Sequence, residues 1–270
     1  QRQMCIRDSS NPEHMKTFTY ALLFFLLLFT ACTAPHEKVS VDYTTYVNPF
    51  IGTDFTGNTY PGAQVPFGMV QLSPDNGLPG WDRISGYFYP DSTIAGFSHT
   101  HLSGTGAGDL YDISFMPVTL PYKEAEAPLG IHSRFSHDDE SATAGYYQVL
   151  LKDYNINVEL TATERCGIQR YTFPEAQAAI FLNLKKAMNW DFTNDSRIEI
   201  VDSVTIQGYR FSDGWARDQH IYFRTRFSKP FTSVQIDTTA IIKDGKHIGT
   251  AAIARFDFNT KKGEQIIVST

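Results

Sequence analysis

Asn157-Val158-Glu159-Leu160-Thr161 alternates polar and apolar side chains, and Val204-Thr205-Ile206-Gln207 repeats the pattern. A repeat of two is the side-chain period of a β-strand with one face in a core and the other in water. Short runs of this kind recur at roughly ten-residue spacing beyond Gly145, which is typical of an antiparallel sandwich. The predicted strands are residues 146–152, 156–163, 167–173, 197–201, 203–211, 221–227, 233–237, 253–258 and 265–268.

We therefore predict an all-β chain that folds as an antiparallel β-sandwich with one solvated face per sheet. No convincing amphipathic helix interrupts the strands, and we expect residues 174–179 to form at most a short turn. The chain ends inside a predicted strand, so we expect a truncated coding sequence.

Composition narrows the class of protein. At 270 residues, with 42% hydrophobic and 19% charged residues, the chain has the profile of a globular protein, and 14% aromatic residues favour β structure. The net charge is −6 without a basic stripe, which argues against a nucleic-acid partner. The three cysteines, Cys5, Cys32 and Cys166, lie far apart and predict no disulfide framework.

The first forty residues are expected to target the protein rather than to fold. Met15-Lys16 precedes an apolar run over residues 18–29 and then Thr30-Ala31-Cys32, the order of a secretory signal. Small residues before a cysteine resemble a bacterial lipoprotein signal, so Cys32 is the expected lipidation site. We expect a non-native leader (1–14), a signal peptide (15–32), a tether (33–40) and a domain (41–270). The predicted location is the bacterial periplasm or the outer membrane or cell surface, with the lipid anchor as the membrane contact.

Two glycine-rich stretches carry the first candidate binding residues. In the stretch Asn48-Pro49-Phe50-Ile51-Gly52-Thr53-Asp54, Gly52 allows close approach of the backbone, while Asp54 and the nearby Asn58 can bond hydroxyl groups. Trp81-Asp82 places an indole beside a carboxylate, a combination that can hold a sugar ring and its hydroxyls. Tight turns and a half-buried tryptophan are the alternative interpretations.

A third stretch, Ser98-His99-Thr100-His101, is so polar that we expect it to be poor core material. Period-two alternation predicts both histidines on one face, where they suit a polyhydroxylated ligand or a metal. A hydrogen-bonded loop is the alternative. The His-x-His spacing is not that of a helical zinc site, and Ser103 lacks the glycines of a serine-hydrolase elbow. A fourth stretch contains Trp215 and His220. We interpret the pair Lys185-Lys186 as solvated.

Taken in order, these stretches closely resemble the N-terminal domain of glycoside hydrolase family 92, the calcium-dependent exo-acting α-mannosidases. The matching motifs are Asn48-Pro49-Phe50-Ile51-Gly52-Thr53, Tyr60-Pro61-Gly62-Ala63, residues 66–75, Gly80-Trp81-Asp82, Ser85-Gly86-Tyr87, residues 96–106, Trp215-Ala216 and His220. The resemblance implies a sandwich related to galactose mutarotase, followed by an (α/α)6 helical domain that this chain lacks. It also implies an inverting reaction by two separated carboxylates.

The family's catalytic acid and base and most of its calcium ligands belong to the helical domain, so the resemblance assigns no catalytic residue and no metal ligand here. It implies contacts to a mannose-containing glycan from Gly52, Trp81, Asp82, His99 and His101, with Asp54, Asn58 and His220 as weaker candidates. The whole protein is then an α-mannosidase, expected to be of the α-1,2 type, and the helical domain is the sandwich's intramolecular partner. The fragment alone is expected to be inactive.

Two other functions fit the same residues. A stand-alone carbohydrate-binding, lectin-like module would need only the sandwich and its exposed Trp81 and Trp215. An epimerase related to the mutarotases would need a histidine and a glutamate facing one sugar, and Glu164 with the two histidines is the candidate set.

Overall fold

The computed structural model describes residues 41–104, 106, 108–125, 130–187 and 191–270. The predicted leader, signal peptide, tether and lipidation site Cys32 therefore lie outside the described residues. Residues 43–270 form one compact unit. Its strands are β1 Ala63–Gln64, β2 Gln71–Asp75, β3 Thr93–Ile94, β4 Gly96–Ser98, β5 Ser114–Thr119, β6 Ser133–Arg134, β7 Glu140–Thr143, β8 Tyr146–Leu151, β9 Ile156–Ala162, β10 Gly167–Phe173, β11 Ala176–Asn183, β12 Phe192–Ile200, β13 Thr205–Asp213, β14 Gln219–Phe227, β15 Ser233–Lys243, β16 Lys246–Thr260 and β17 Glu264–Ser269.

The strands form two antiparallel sheets and a small two-stranded ribbon, β3-β6. One sheet has the order β1-β2-β4-β5-β11-β16-β15 and the other β12-β13-β14-β17-β10-β9-β8-β7. Phe227 of β14 contacts Phe115 of β5 and Phe256 of β16, with ring centroids 6.5 Å and 5.1 Å apart, so the core lies between the sheets. The predicted all-β antiparallel sandwich is confirmed. The helical segments among the described residues are three 3-10 turns, Tyr43–Tyr46, Trp81–Arg83 and His137–Asp139.

One element of the sequence prediction was wrong. Residues 174–179, expected to be at most a turn, lead into β11, which pairs with β5 on one side and β16 on the other. Residues 178–182 are buried on both faces of this central strand. A strand buried on both faces reads as a continuous apolar run rather than as an alternation, so its period is invisible.

Strands β1–β7 lie outside the predicted ranges, and strands β12, β15 and β16 extend several residues beyond their predicted ends. Strand β12 begins at Phe192 rather than at residue 197, because a bulge between Thr193 and Asp195 breaks its alternation. Strand β15 continues to Lys243.

No helix in the described part of the chain has the length and apolarity needed to cross a bilayer.

Candidate functional site

Three loops of the first sheet join into one surface. We call them the Gly52 loop (residues 48–60), the Trp81 loop (residues 76–91) and the His loop (residues 99–104, 106 and 108–113). Each is tied to another by hydrogen bonds to backbone carbonyls, which fixes their relative positions. The joining bonds run from Tyr89 N to Thr53 O (2.9 Å), from Ser85 Oγ to Thr59 O (3.0 Å), from Gly104 N to Asn58 O (2.6 Å) and from the Tyr111 hydroxyl to Ile84 O.

The Gly52 loop folds back on itself. Gly52 has a φ of +82°, and a Cβ atom at Gly57 would lie 2.3 Å from the Gly52 carbonyl oxygen. Asp54 is exposed, and its carboxylate accepts a hydrogen bond from Phe55 N at 2.7 Å. Asn58 is buried, and its Oδ1 has no hydrogen-bond partner among the described residues. Asp54 is thus open to a ligand, whereas Asn58 mainly shapes the loop.

The Trp81 loop presents an indole at the surface. Trp81 begins a 3-10 turn after Gly80 and is 52% exposed, while Asp82 beside it is half-buried. The guanidinium of Arg83 does not join them, because it bonds Asp91 through Nε at 2.7 Å and through Nη2. The exposed indole beside one carboxylate keeps the features of a sugar-stacking surface.

His99 is part of the core, so the expectation that its stretch is poor core material was wrong. Its ring is 4% exposed, and Nδ1 lies 2.7 Å from Ile113 O. Burial lowers the pKa of His99 from 6.5 to about 4, so the imidazole is neutral at pH 7. A neutral ring that donates from Nδ1 leaves Nε2 as an acceptor, and this atom has no partner within the described chain.

His101 is also buried, at 3% exposure, in different surroundings. Strand β4 ends at Ser98, so the alternation that predicted one shared face does not continue. Nδ1 of His101 lies 2.7 Å from Gln71 O, and Nε2 lies 2.8 Å from Asp75 Oδ1. Both histidines therefore support the loops from beneath, and their predicted contact with sugar stays a prediction. Glu164, the proposed epimerase partner, is exposed in the β9–β10 turn.

Two buried ion-pair clusters lie under the His loop, and the sequence interpretation missed both. Asp75 pairs with Lys186 Nζ at 2.9 Å, so Lys186 is not solvated as predicted, whereas Lys185 is exposed. Burial alone would raise the pKa of Asp75, but Lys186 and His101 outweigh it and lower that pKa. Arg210 pairs with Asp112, and both side chains are fully buried.

These clusters hold a strained backbone. Leu110, Tyr111 and Ile113 have φ angles of 82°, 60° and 55°, which residues other than glycine rarely adopt. Each such residue costs about 1–3 kcal/mol, so surrounding contacts must impose the conformation. Asp112 supplies them: it accepts hydrogen bonds from Thr100 Oγ1 at 2.7 Å and from Gln219 Nε2 at 3.0 Å, besides its pair with Arg210.

A fourth loop, the Trp215 loop (residues 213–219), is attached to the His loop by Asp109. Asp109 Oδ2 accepts a hydrogen bond from Ala216 N at 2.9 Å, and a Cβ atom at Gly214 would lie 2.7 Å from Asp109 Oδ1. Trp215 is 73% exposed. His220 is the second residue of β14 and stacks on Phe211 at 3.9 Å, so it belongs to the sheet rather than to the joined loops.

A cavity of about 380 Å³ is lined by Asn48, Phe50, Thr53 and Asp54 of the Gly52 loop. Its other lining residues include Tyr89, His137 and Glu140. The Glu140 carboxylate is buried and lies 2.7 Å from His137 Nδ1, and His137 stacks flat on Tyr89 at 3.9 Å. The spacing of a histidine and a glutamate three residues apart was the available sequence signal for this cavity.

The resemblance implies calcium, so we tested the donor set. Within the described residues, no group of three or more His, Cys, Asp or Glu side chains is placed to hold a metal ion. Asp75 and Asp112, the buried carboxylates of the His loop region, are already paired with Lys186 and Arg210. The described acidic and histidine side chains therefore do not form a calcium site.

Comparison with known proteins identifies the family to which the chain belongs. The family model described as "Glycosyl hydrolase family 92 N-terminal domain" matches residues 46–270. The chain is 39% identical to a solved family 92 α-mannosidase of Bacteroides thetaiotaomicron in complex with mannoimidazole, with a TM-score of 0.75, covering 84% of this chain and 32% of that one. A family 92 inverting mannosidase of the same species is 27% identical, with a TM-score of 0.69, covering 86% and 32%.

A more distant relative is an uncharacterized secreted glycosidase of Arthroderma benhamiae, 28% identical over 165 residues, which are 58% of this chain and 20% of that protein. The chain therefore spans about a third or less of the length of the proteins that it matches.

Proposed function

Because the chain belongs to glycosyl hydrolase family 92, we propose that it is the N-terminal part of an exo-acting α-mannosidase that removes terminal mannose from glycans with inversion. The observation that carries the proposal is the exposed Trp81 on a surface of joined loops, in a chain similar over 84% of its length to a mannosidase solved with mannoimidazole. We propose α-1,2-linked mannose as the substrate.

The described residues support a role in binding rather than in bond cleavage. Trp81 and Asp54 offer an aromatic face and an acceptor at the surface, which suits the C–H groups and hydroxyls of a pyranose. Among the described acidic residues, the buried Asp75, Asp112 and Glu140 are committed to lysine, arginine and tyrosine or histidine partners. We propose that the catalytic acid, the base and a calcium ion belong to a helical domain that packs on this one.

We also propose export and lipid anchoring at Cys32, with the enzyme in the bacterial periplasm or at the cell surface. The support is the order of residues 15–32. Metabolic labelling with a radioactive fatty acid should mark the wild-type protein and leave Cys32→Ala unlabelled. Label on the variant would contradict the anchor.

The activity is tested by expressing the complete open reading frame, read past codon 270, and following release of mannose from α-1,2-mannobiose by NMR. We expect β-mannose as the first product, because inversion of an α-glycoside gives the β-anomer. Chelation should abolish the activity, and added calcium should restore it. Release of α-mannose, or full activity in the chelator, contradicts the proposed reaction.

Two variants connect the activity to this chain. Trp81→Ala should lower kcat/KM at least about tenfold through loss of stacking. Tyr43→Ala, which removes an aromatic ring that is also exposed, serves as the matched control and should leave kcat/KM unchanged. Measurable mannosidase activity from the 270-residue chain alone would contradict the placement of the acid and base in another domain.

A further inference from the structure

The outer face of β12, β13 and β14 carries aromatic and charged side chains in register. These residues point away from the core, since their neighbours Ile206, Arg210 and Thr225 are buried. Cross-strand pairing arranges the outward residues in rows, and side chains in such rows contact one another. The rows are Asp195–Phe211–His220, Arg197–Tyr209–Tyr222 and Glu199–Gln207–Arg224. We call this surface the aromatic face.

Four rings form the first part of the aromatic face. Tyr209 stacks on Phe211 with ring centroids 4.4 Å apart, and Phe211 stacks on His220 at 3.9 Å. Tyr222 meets the edge of this stack at 5.6 Å from Phe211 and is 68% exposed. The stack holds Tyr222 from one side and leaves much of its ring available.

A groove of about 320 Å³ lies between the second and third rows. Its walls include Arg197, Tyr209 and Tyr222 from one row and Glu199 and Gln207 from the next. Gly208 of β13 also lines the groove, between the two rows. A groove of this volume is within the range of small-ligand sites and suits one sugar ring.

The polar groups of the groove are only partly used. The guanidinium of Arg197 has no hydrogen-bond or ion-pair partner among the residues that the structure describes. Glu199 accepts one hydrogen bond from Gln207 Nε2 at 3.3 Å, and Arg224 Nη1 donates to Gln207 Oε1 at 3.4 Å. Planar groups with spare donors and acceptors beside an exposed ring are what a polyhydroxylated ligand requires.

Charge selects the class of ligand. The three rows contain two arginines, Arg197 and Arg224, and two carboxylates, Asp195 and Glu199, so the formal charges cancel. A nucleic acid or an acidic peptide would need an excess of positive charge, which this face lacks. An uncharged ligand with an apolar ring face and many hydroxyls matches it.

We propose that this groove is a second carbohydrate-binding site, which takes an uncharged pyranose unit of an oligosaccharide against Tyr222, with Arg197 and Glu199 bonding its hydroxyls. The site goes beyond the proposed function, because it shares no residue with the Gly52, Trp81 or His loops. It rests on the proposed function only for the choice of a mannose-containing probe.

The test uses the 270-residue chain and α-1,2-mannotriose, with binding followed by saturation-transfer NMR and titration. Trp81→Ala removes the indole of the loop surface, and the part of the remaining binding that depends on Tyr222 reports the groove. In the Trp81→Ala background, Tyr222→Ala should weaken binding at least tenfold and Arg197→Ala several-fold. Tyr43→Ala, the exposed-ring control, should change nothing in that background.

Several outcomes would overturn the proposal. They are absence of saturable binding in Trp81→Ala, equal binding with and without Tyr222, and concentration-dependent dimerisation of the chain that Tyr222→Arg abolishes. The last outcome would mean that the face pairs two copies. Circular dichroism and thermal midpoints identify a variant that fails to fold, and Arg197→Ala then provides an independent measurement. Absence of mannosidase activity in the full reading frame would contradict the proposed function and leave this binding result unaffected.

Discussion

Removing the guanidinium of Arg210 should destabilise the domain more than any surface substitution. Arg210 is fully buried, and it bonds Asp112 through Nη1, Lys186 O through Nη2 at 3.0 Å, and Leu184 O through Nε at 3.2 Å. Arg210→Met fills a similar volume but leaves a buried carboxylate and two carbonyls without this donor. Breaking a buried pair by removing one partner costs about 3–5 kcal/mol.

The cost is measurable by urea unfolding of the 270-residue chain and by calorimetry. For a domain of this size, about 2–4 °C of Tm accompany each kcal/mol, so Arg210→Met should lower Tm by about 6–20 °C. Arg134→Met is the matched control: its guanidinium also pairs with an aspartate, Asp153, but is 71% exposed, and its Tm should be unchanged within error.

A double variant separates the charge from the packing. Asp112→Asn removes the carboxylate charge, so Arg210→Met with Asp112→Asn should be destabilised by less than the sum of the single changes. The difference should be about 0.5–3 kcal/mol, the range for residues in contact. A loss of less than about 1 kcal/mol for Arg210→Met, or strict additivity, would refute the assignment of this pair as the support of the His loop.

The other predictions concern the loops. Since burial depresses the folded-state pKa of His99 from 6.5 to about 4, the unfolded chain takes up the proton first as the pH falls. Stability should therefore decrease by up to about 3 kcal/mol from pH 6.5 to pH 4, and His99→Gln should unfold in urea with a smaller dependence over that window. Gly57→Ala should cost about 1–3 kcal/mol, because its Cβ would meet backbone at 2.3 Å; an unchanged Tm contradicts this. Gly214→Ala should release the Trp215 loop and speed tryptic cleavage after Arg217, with little change in Tm. Equal cleavage rates would contradict the attachment of this loop by Asp109.

Alternation in the sequence predicts most of the sheet that contains β7–β10, β12–β14 and β17, because these strands have one buried face and one face toward solvent. Strands β8, β9 and β10 lie within a residue or two of the predicted ranges. Strand β11 was missed because it is buried on both faces, and a strand buried on both faces shows no polar–apolar alternation. The sequence therefore predicts the strands that have one buried and one exposed face, and it does not predict a strand that is buried on both.

The residues of the candidate site also fall into some that the sequence could identify and others that it could not. The glycines and the exposed Trp81 could be identified locally, because turn chemistry and surface aromatic residues depend on neighbouring residues. The burial of His99 and His101 could not, since their partners Ile113, Gln71 and Asp75 lie in other parts of the chain. A polar residue becomes core material when distant groups satisfy its hydrogen bonds.

The two buried ion pairs also bear on how the domain folds. Asp75 and Lys186 are 111 residues apart in sequence, and Asp112 and Arg210 are 98 apart. Contacts of such separation close long loops, and a topology rich in them folds slowly. The surface around Trp81 is supported by these pairs through the His loop. During synthesis, it cannot form until residue 210 has left the ribosome, so shorter N-terminal products should expose unpaired Asp75 and Asp112 to quality-control proteases.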